Sequence, residues 1–227
     1  MNYRRAMVFA AHPDDELVMA PSMAKMASLG VDVVIALMTD GCEGYPDPSM
    51  RDSIVELRRQ EAVAADGVMG TRRISFGLPD MGLTNDKETF LRVLAAIRAE
   101  RPDAIFTQGS VDTHRDHLAT HDLSLEAAWQ AGQPVSAALG EPWRTPHVWY
   151  YKNMGARPPD LVWDVTGFAH VRQLTLATQT SQHVLFGRDR QSFVDEAEAI
   201  RAANAPASQS FWVTGKSVLH DFPDVSR

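Results

Sequence analysis

The sequence predicts a single α/β domain of the Rossmann-like, doubly wound kind, with helices on both faces of a mostly parallel sheet. Two observations carry this prediction. Short apolar runs alternate along the chain with stretches in which apolar residues recur at helical spacing. The length of 227 residues also falls within the range of one large domain. Strands that alternate with helices form parallel sheets with right-handed crossovers.

The first strand is predicted at residues 6–11, an apolar run that is too short for a helix and ends in polar residues. A helix should follow it. Pro13 suits a first helical turn, the acidic residues 14–16 favour a helix N-terminus, and Gly30 ends the apolar periodicity. The methionines at helical spacing in this segment are predicted to belong to the core: Met19, Met23 and Met26.

The remaining elements continue the alternation. Strands are predicted at residues 31–39, 73–76, 103–107, 148–151 and 161–165, and helices at residues 53–69, 87–100, 117–130, 167–185 and 188–203. The sequence contains no internal repeat and no convincing linker, so residues 1–227 are predicted to form one domain. Residues 1–130 would carry the metal site, and residues 131–227 would complete the sheet and the substrate pocket.

Charge and cysteine content narrow the function classes. The formal net charge of −7 has the wrong sign for a protein that grips phosphate backbones, so nucleic acids and anionic membranes are not expected partners. The apolar run after the first arginines ends at His12, too early for a signal peptide or a membrane span. The single cysteine, Cys42, favours a reducing compartment, so cytoplasm is the expected location. A homo-oligomer is compatible with the sequence.

Two short polar segments follow predicted strands: His12-Pro13-Asp14-Asp15-Glu16 after the first and His114-Arg115-Asp116-His117 after the fourth. In an open doubly wound sheet the crevice lies where strand order reverses, commonly between these two strands. The two segments should therefore face one another. Taken alone, the first is also compatible with an acidic helix start, and the second with a solvated loop that carries two surface histidines.

Together the segments indicate a metal site. Histidine nitrogen and aspartate oxygen are ordinary ligands of zinc and related cations, and a catalytic zinc uses three protein ligands. His12, Asp15 and His117 can supply them. Asp14 would then accept a proton from the attacking water, and His114 would lie near the oxyanion that develops on the substrate. Zn²⁺ is the expected ion, with Fe²⁺ or another divalent cation as alternatives.

These residues resemble the LmbE-like or PIG-L deacetylases, metal-dependent enzymes that remove acetyl groups from N-acetylglucosamine derivatives. The family shows a similar His-Pro-Asp-Asp-Glu after its first strand and a His-x-Asp-His after its fourth. The resemblance implies that His12, Asp15 and His117 bind the metal and that Asp14 is the general base. It also implies that His114 polarises the carbonyl or protonates the leaving amine, and that Asp116 orients His114.

Smaller matches extend the resemblance. Arg58 and Glu61 match an Arg-x-x-Glu helix of the family, and Asp80 lies in a Leu-Pro-Asp segment. By this resemblance, Arg58 and Asp80 are expected to line the substrate pocket. Gln179 is a departure, because many family members carry a histidine at this place before Ser-Gln. The loops at residues 43–50 and 130–146 are individual to this chain, and we expect them to form the pocket rim and determine substrate choice.

The favoured function is a zinc-dependent hydrolase that removes an N-acetyl group from an amino sugar or a small N-acetylglucosamine-containing metabolite. Two alternatives remain open. One is a metal-dependent amidase that acts on another small amide, such as a thiol conjugate, or on another scissile bond. The other is a Rossmann-like nucleotide-binding module, although the first turn lacks G-x-G-x-x-G and places carboxylates where a pyrophosphate needs backbone amides.

Overall fold

The computed structural model describes residues 3–152 and 158–213, and the other residues of the predicted domain lie outside this part of the chain. Seven strands are found within it: β1 (Arg5–Ala10), β2 (Asp32–Thr39), β3 (Arg72–Leu78), β4 (Ala104–Gln108), β5 (His147–Lys152), β6 (Leu161–Asp164) and β7 (Ser208–Val213). The helices of the same residues are α1 (Ala20–Ser28), α2 (Ile54–Met69), α3 (Lys87–Glu100), α4 (Arg115–Ala131), α5 (Val171–Leu176), α6 (His183–Phe186) and α7 (Arg190–Ala203).

The seven strands form one sheet in the order β3-β2-β1-β4-β5-β7-β6. The first five strands are mutually parallel, β7 is antiparallel to β5, and β6 is antiparallel to β7. Because β1 pairs with both β2 and β4, strand order reverses between β1 and β4. The predicted α/β class and the predicted crevice position are therefore confirmed.

Alternate residues of β1 enter two separate cores. Val8 faces the side covered by α1, α2 and α5, where the predicted methionine stripe of α1 is buried. Phe9 faces the side covered by α3 and α4. Both side chains are fully buried, as expected for a central parallel strand whose two faces are both covered by helices. This double burial fixes the direction in which β1 delivers the residues that follow it.

Three predictions about the elements were wrong. Residues 167–185 do not form one helix: α5, a 3-10 turn and α6 divide the segment, and the break falls at Gln179, whose ψ of 59° is not helical. Strand β7 was missed; its interleaved polar residues are only partly buried and its partners are distant in sequence. Finally, residues 15–19 form a 3-10 turn, so α1 begins only at Ala20.

The connection from α4 to β5 lies at the amino edge of the sheet. Its Trp143 donates an indole N–H to the carbonyl of Pro102, just before β4 begins, over 2.9 Å. Buried Arg98 of α3 holds the same connection, donating to the carbonyls of Ala131, Gln133, Val135, Ser136 and Gly140. The prediction that residues 130–146 form part of the pocket rim is therefore wrong, because the site follows the carboxyl ends of β1 and β4.

No helix within the described residues combines the length and apolar character needed to cross a membrane.

Candidate metal centre

His12 lies immediately after β1 and makes contacts through both ring nitrogens. Its Nδ1 is 3.2 Å from Oδ2 of Asp15, and its backbone N–H donates to the same oxygen over 2.9 Å. Its Nε2 is 3.0 Å from Oδ1 of Asp80 and 3.2 Å from Oδ2 of Asp116. The side chain is 10% exposed, so three carboxylates surround one largely buried ring.

His117, in the first turn of α4, repeats this pattern. Its Nε2 is 3.1 Å from Oδ1 of Asp15, which places the Asp15 carboxylate between the two imidazoles. Its Nδ1 is 2.9 Å from Oδ2 of Asp112, and this oxygen is also 3.3 Å from Nζ of Lys152 at the end of β5. Asp112 and Lys152 were not predicted from the sequence; the signal available was an acid two residues before His114.

His114 is the N-cap of α4. Its Nδ1 accepts the backbone N–H of Asp116 over 3.2 Å, which leaves Nε2 to carry the proton of the neutral ring. The ring lies 4.5 Å from that of His12 and 4.7 Å from that of His117, measured between centroids. Burial and the two neighbouring histidines lower the pKa of His114. His114 is therefore suited to donate a hydrogen bond from Nε2.

The Asp116 carboxylate does not contact His114, which differs from the sequence expectation. It is fully buried, faces His12, and accepts the backbone N–H groups of Met81 at 2.7 Å and Leu83 at 3.3 Å. The helix geometry explains the difference, because the residue two positions after an N-cap presents its amide, not its side chain, to the cap. Asp116 contacts His114 only through this amide.

The Asp14 carboxylate pairs with an arginine. Its Oδ2 is 3.0 Å from Nη2 of Arg58, a side chain of α2 that is only 4% exposed. Burial raises the pKa of Asp14, and the positive charge of Arg58 opposes this effect. Asp14 and Asp15 thus face different partners, Arg58 for the first and the histidines for the second.

Glu16, the last residue of the first motif, holds the loop to the sheet. It is fully buried, and its Oε1 is 2.6 Å from Nη2 of Arg73 on β3. Arg73 also pairs with Asp66 of α2 at 2.9 Å. This ion cluster anchors the end of the motif to β3 and α2.

The titration of the cluster follows from these contacts. Burial acts to lower the pKa of His12, but the carboxylates of Asp15 and Asp80 overcome it and raise the pKa to about 10. Burial also opposes ionisation of Asp15, yet its bonds to His117 and His12 hold its pKa well below the usual range. The same Asp15 contact raises the pKa of His117 against burial. The neighbouring carboxylates thus favour the protonated form of both rings.

The donor atoms fit a divalent cation. Each of His12 and His117 has one ring nitrogen facing Asp15 and the other close to a second carboxylate, the arrangement that usually supports metal-binding histidines; the His117–Asp112 approach is a charge contact without hydrogen-bond geometry. Within the described residues, two groups of three place one donor atom each within 4.8 Å of one another: His12, His114 and His117, and His12, Asp80 and Asp116. Neither group contains Asp15, although its carboxylate contacts both His12 and His117. More than one set of donor atoms is therefore available around His12.

A cavity of about 220 Å³ opens beside the cluster. Its lining includes five residues predicted for the site: His12, Asp14, Arg58, Asp80 and His114. Glu43, Gly44, Met81 and Gln182 complete the lining. Of these, only the loop that carries Glu43 and Gly44 was expected at the pocket.

Gln182 reaches the cavity from the late segment of the chain. Its Nε2 donates to the carbonyl of Gly44 over 2.8 Å. Glu61 fixes this segment, since its carboxylate accepts the backbone N–H and the hydroxyl of Ser181 and the hydroxyl of Thr180. Gln179 itself is fully buried and does not line the cavity.

The fold and the site together define a Rossmann-like α/β protein with a histidine and carboxylate cluster at the switch point of its sheet. The chain belongs to the PIG-L family: the model described as GlcNAc-PI de-N-acetylase matches residues 7–128. Both motifs of the cluster lie within that range.

Individual comparisons agree. Diacetylchitobiose deacetylase of Thermococcus kodakarensis is 28% identical over 137 residues, which cover 58% of this chain and 51% of that protein. The structure of N,N'-diacetylchitobiose deacetylase from Pyrococcus horikoshii superimposes with a TM-score of 0.80 at 20% identity, covering 94% of this chain and 84% of that one. The chain spans between about half and three fifths of the length of the first curated relatives it matches.

The same fold also hosts other chemistry. GalB, the 4-carboxy-2-hydroxymuconate hydratase of Pseudomonas putida, has a TM-score of 0.79 at 18% identity, with 97% of this chain and 100% of that one covered. Shared fold alone therefore does not identify a reaction.

Proposed function

We propose that this chain is a divalent-metal hydrolase that removes the N-acetyl group of an amino sugar, with zinc as its ion. One observation carries the proposal. The Asp15 carboxylate lies between nitrogens of His12 and His117, while other carboxylates support the far nitrogen of each ring. The family to which the chain belongs and the deacetylases it resembles support the choice of substrate.

His12, Asp15 and His117 would hold the ion. When bound, a divalent cation supplies Lewis-acid chemistry: it polarises an amide carbonyl and lowers the pKa of a water molecule. Asp80 and Asp116 hold His12 from its Nε2 side, and Asp112 holds His117 from its Nδ1 side. These supporting contacts limit ring rotation, so the nitrogens that face Asp15 keep their direction.

Asp14 would act as the general base. It lines the cavity, is next in sequence to Asp15, and has 29% of its side chain exposed, so water can reach it. Arg58 holds one of its oxygens and leaves the other to accept a proton from the attacking water. A positioned base contributes roughly 10²- to 10⁴-fold in rate.

His114 would stabilise the negative charge that develops on the amide carbonyl oxygen. Because its Nδ1 accepts a backbone N–H, its Nε2–H can donate to the carbonyl oxygen as negative charge develops there. Once the amide carbon is tetrahedral, the proton taken by Asp14 has to reach the leaving nitrogen. His114 and Asp14 both line the cavity, so either can deliver that proton.

Amine release tests the proposal. The metal-loaded protein is incubated with N-acetylglucosamine, its disaccharide and its inositol glycoside, and free amine and acetate are quantified together. We expect equal amounts of amine and acetate from at least one sugar, with loss of both in His12→Ala. His170→Ala, a histidine on the turn before α5, is the matched control and should keep activity. Amine release only from a thiol-conjugate amide would instead support the amidase.

Location is a separate proposal. The single cysteine is the basis for placing the protein in the cytoplasm. Fractionation of cells that produce the full protein at native level tests it, and recovery of the protein outside the cytoplasmic fraction would contradict it.

A further inference from the structure

The geometry points to a selection rule at the mouth of the cavity: the site accepts uncharged amino sugars and rejects anionic ones, and Glu43 is the rim residue that enforces the rule. The inference rests on the proposed function and deepens it by naming the charge class of the substrate.

The charge balance of the site is the first step. Five carboxylates lie in the cavity or against its histidines: Asp14, Asp15, Glu43, Asp80 and Asp116. Arg58 and a bound divalent cation supply three positive charges against these five negative ones. Asp112 and Lys152, behind His117, neutralise each other. The loaded site therefore keeps a net negative charge, and a second anion would enter against this field.

Arg58 does not offer an anion clamp. Its Nη2 is held by Asp14 at 3.0 Å, and its Nη1 packs against Gly44 so closely that an added Cβ there would lie 2.1 Å away. A bidentate grip on a phosphate or carboxylate needs both arms of the guanidinium. Its Nε is buried, so this N–H adds no accessible donor to the cavity.

Glu43 carries a charge that no cation among the described residues pairs with. It is exposed and lines the cavity, and the contact found for its carboxylate is the hydroxyl of Tyr45 at 3.3 Å. Among the ion pairs of the described residues, none includes Glu43. A carboxylate in this position accepts hydrogen bonds from sugar hydroxyls and repels phosphate or carboxylate groups on the ligand.

The size of the cavity determines which part of the substrate must be uncharged. About 220 Å³ is below the roughly 300–1,000 Å³ of pockets that hold drug-sized ligands, so one sugar ring enters and the remainder stays outside. The rule therefore applies to charges on the ring that carries the acetamido group and on its nearest substituents.

A matched substrate pair tests the rule on the metal-loaded full chain. N-acetylglucosamine and N-acetylglucosamine 6-phosphate differ by one phosphate, and kcat/KM for amine release is compared between them at low and high salt. We expect at least a tenfold preference for the neutral sugar at low salt, which Glu43→Gln reduces severalfold. Asp52→Asn, which removes an equal charge from the same loop outside the cavity lining, should leave the preference unchanged.

Equal or better use of the phosphorylated sugar by the unaltered protein would overturn the rule, as would an unchanged preference in Glu43→Gln. Calorimetric binding of glucosamine and glucosamine 6-phosphate separates this failure from failure of the proposed function. If glucosamine binds more tightly than glucosamine 6-phosphate but neither acetylated sugar releases amine, the deacetylase proposal is contradicted and the selection rule stands. Tighter binding of the phosphate would contradict the rule alone.

Discussion

The Nδ1 atom of His117 lies 2.9 Å from the Oδ2 atom of Asp112. The same aspartate accepts the backbone N–H of His114 through its other oxygen over 3.0 Å. One carboxylate thus supports both histidines of the second motif. Nearby positive charge and these contacts hold the pKa of Asp112 at about 2 despite burial, so it is ionised at neutral pH.

Asp112→Asn should therefore weaken metal binding, because the amide keeps the shape of the carboxylate but loses its charge. Carboxylates that support metal-binding histidines are worth about 10- to 100-fold in affinity or activity. Competition with a chromogenic chelator measures the change. Asp122→Asn, at an exposed position of α4, is the control and should bind normally. Unchanged affinity in Asp112→Asn would show that His117 needs no such support.

The two adjacent aspartates of the first motif should separate by phenotype. Asp14→Ala is expected to keep the metal and lose roughly 10²- to 10⁴-fold in turnover, the usual contribution of a general base. Asp15→Ala is expected to lose metal affinity, because its carboxylate contacts both His12 and His117. Metal titration beside steady-state kinetics distinguishes the two variants. Loss of metal in Asp14→Ala with retention in Asp15→Ala would reverse the assigned roles.

Metal binding should release protons at neutral pH. The pKa of His12 is raised to about 10, so this ring is protonated in the metal-free protein, and the Asp15 contact also raises the pKa of His117. A bound cation requires neutral imidazoles, so affinity should fall as pH falls. Calorimetry in buffers of different ionisation enthalpy counts the protons, and release of about one proton or more per ion is expected at pH 7. No proton release would contradict the cluster described above.

The same shift affects the stability of the metal-free protein. A group whose pKa is raised on folding stabilises the folded state below its unfolded pKa and loses this contribution as pH rises through the folded value. For His12 the contribution is therefore present below about pH 6.5 and declines towards pH 10. Chelator-treated protein should become less stable over this interval, and urea unfolding with and without metal should show that added zinc offsets the loss.

Arg98 should matter for stability and not for catalysis. Its guanidinium uses its donors on five backbone carbonyls of the α4–β5 connection, at the edge of the sheet opposite the site. Hydrogen bonds to charged groups contribute about 1.5–3 kcal/mol, so Arg98→Met should cost about 3 kcal/mol or more of unfolding free energy. Urea unfolding measures it. Arg59→Met, on the exposed face of α2, is the control and should change stability little.

Activity of folded Arg98→Met provides a second check. The connection it supports does not line the cavity, so kcat/KM per folded molecule should stay within about twofold of the unaltered protein. A changed substrate preference would contradict this expectation, because it would mean that residues 130–146 influence the pocket.

The position of the site could be predicted from the sequence because topology alone decides it. His12 and His117 follow strands whose carboxyl ends must share an edge once β1 pairs with β4, and the structure has that pairing. The same rule should have excluded residues 130–146 from the rim. A connection from a helix to a parallel strand returns to the amino edge, where Trp143 is found.

The remaining residues of the site depend on side-chain contacts that periodicity does not encode. Gln182 reaches the cavity from a segment that Glu61 anchors through Ser181, and Glu61 and Ser181 are 120 positions apart. Lys152 ends a strand whose pattern indicates burial, with no sign of its pair with Asp112. The side-chain direction of Asp116 depends on the N-cap geometry of His114, which the motif alone does not specify.

Metal content measured beside amine release tests the central claim most directly. The unaltered protein, His12→Ala, His117→Ala and the control His170→Ala are loaded with zinc, passed through a desalting column and divided between metal analysis and the N-acetylglucosamine assay. We predict about one ion per chain with amine release in the unaltered protein and in the control, and loss of both in the other two. One ion per chain in His12→Ala or His117→Ala, with amine release intact, would contradict the claim that this cluster holds the metal on which the reaction depends.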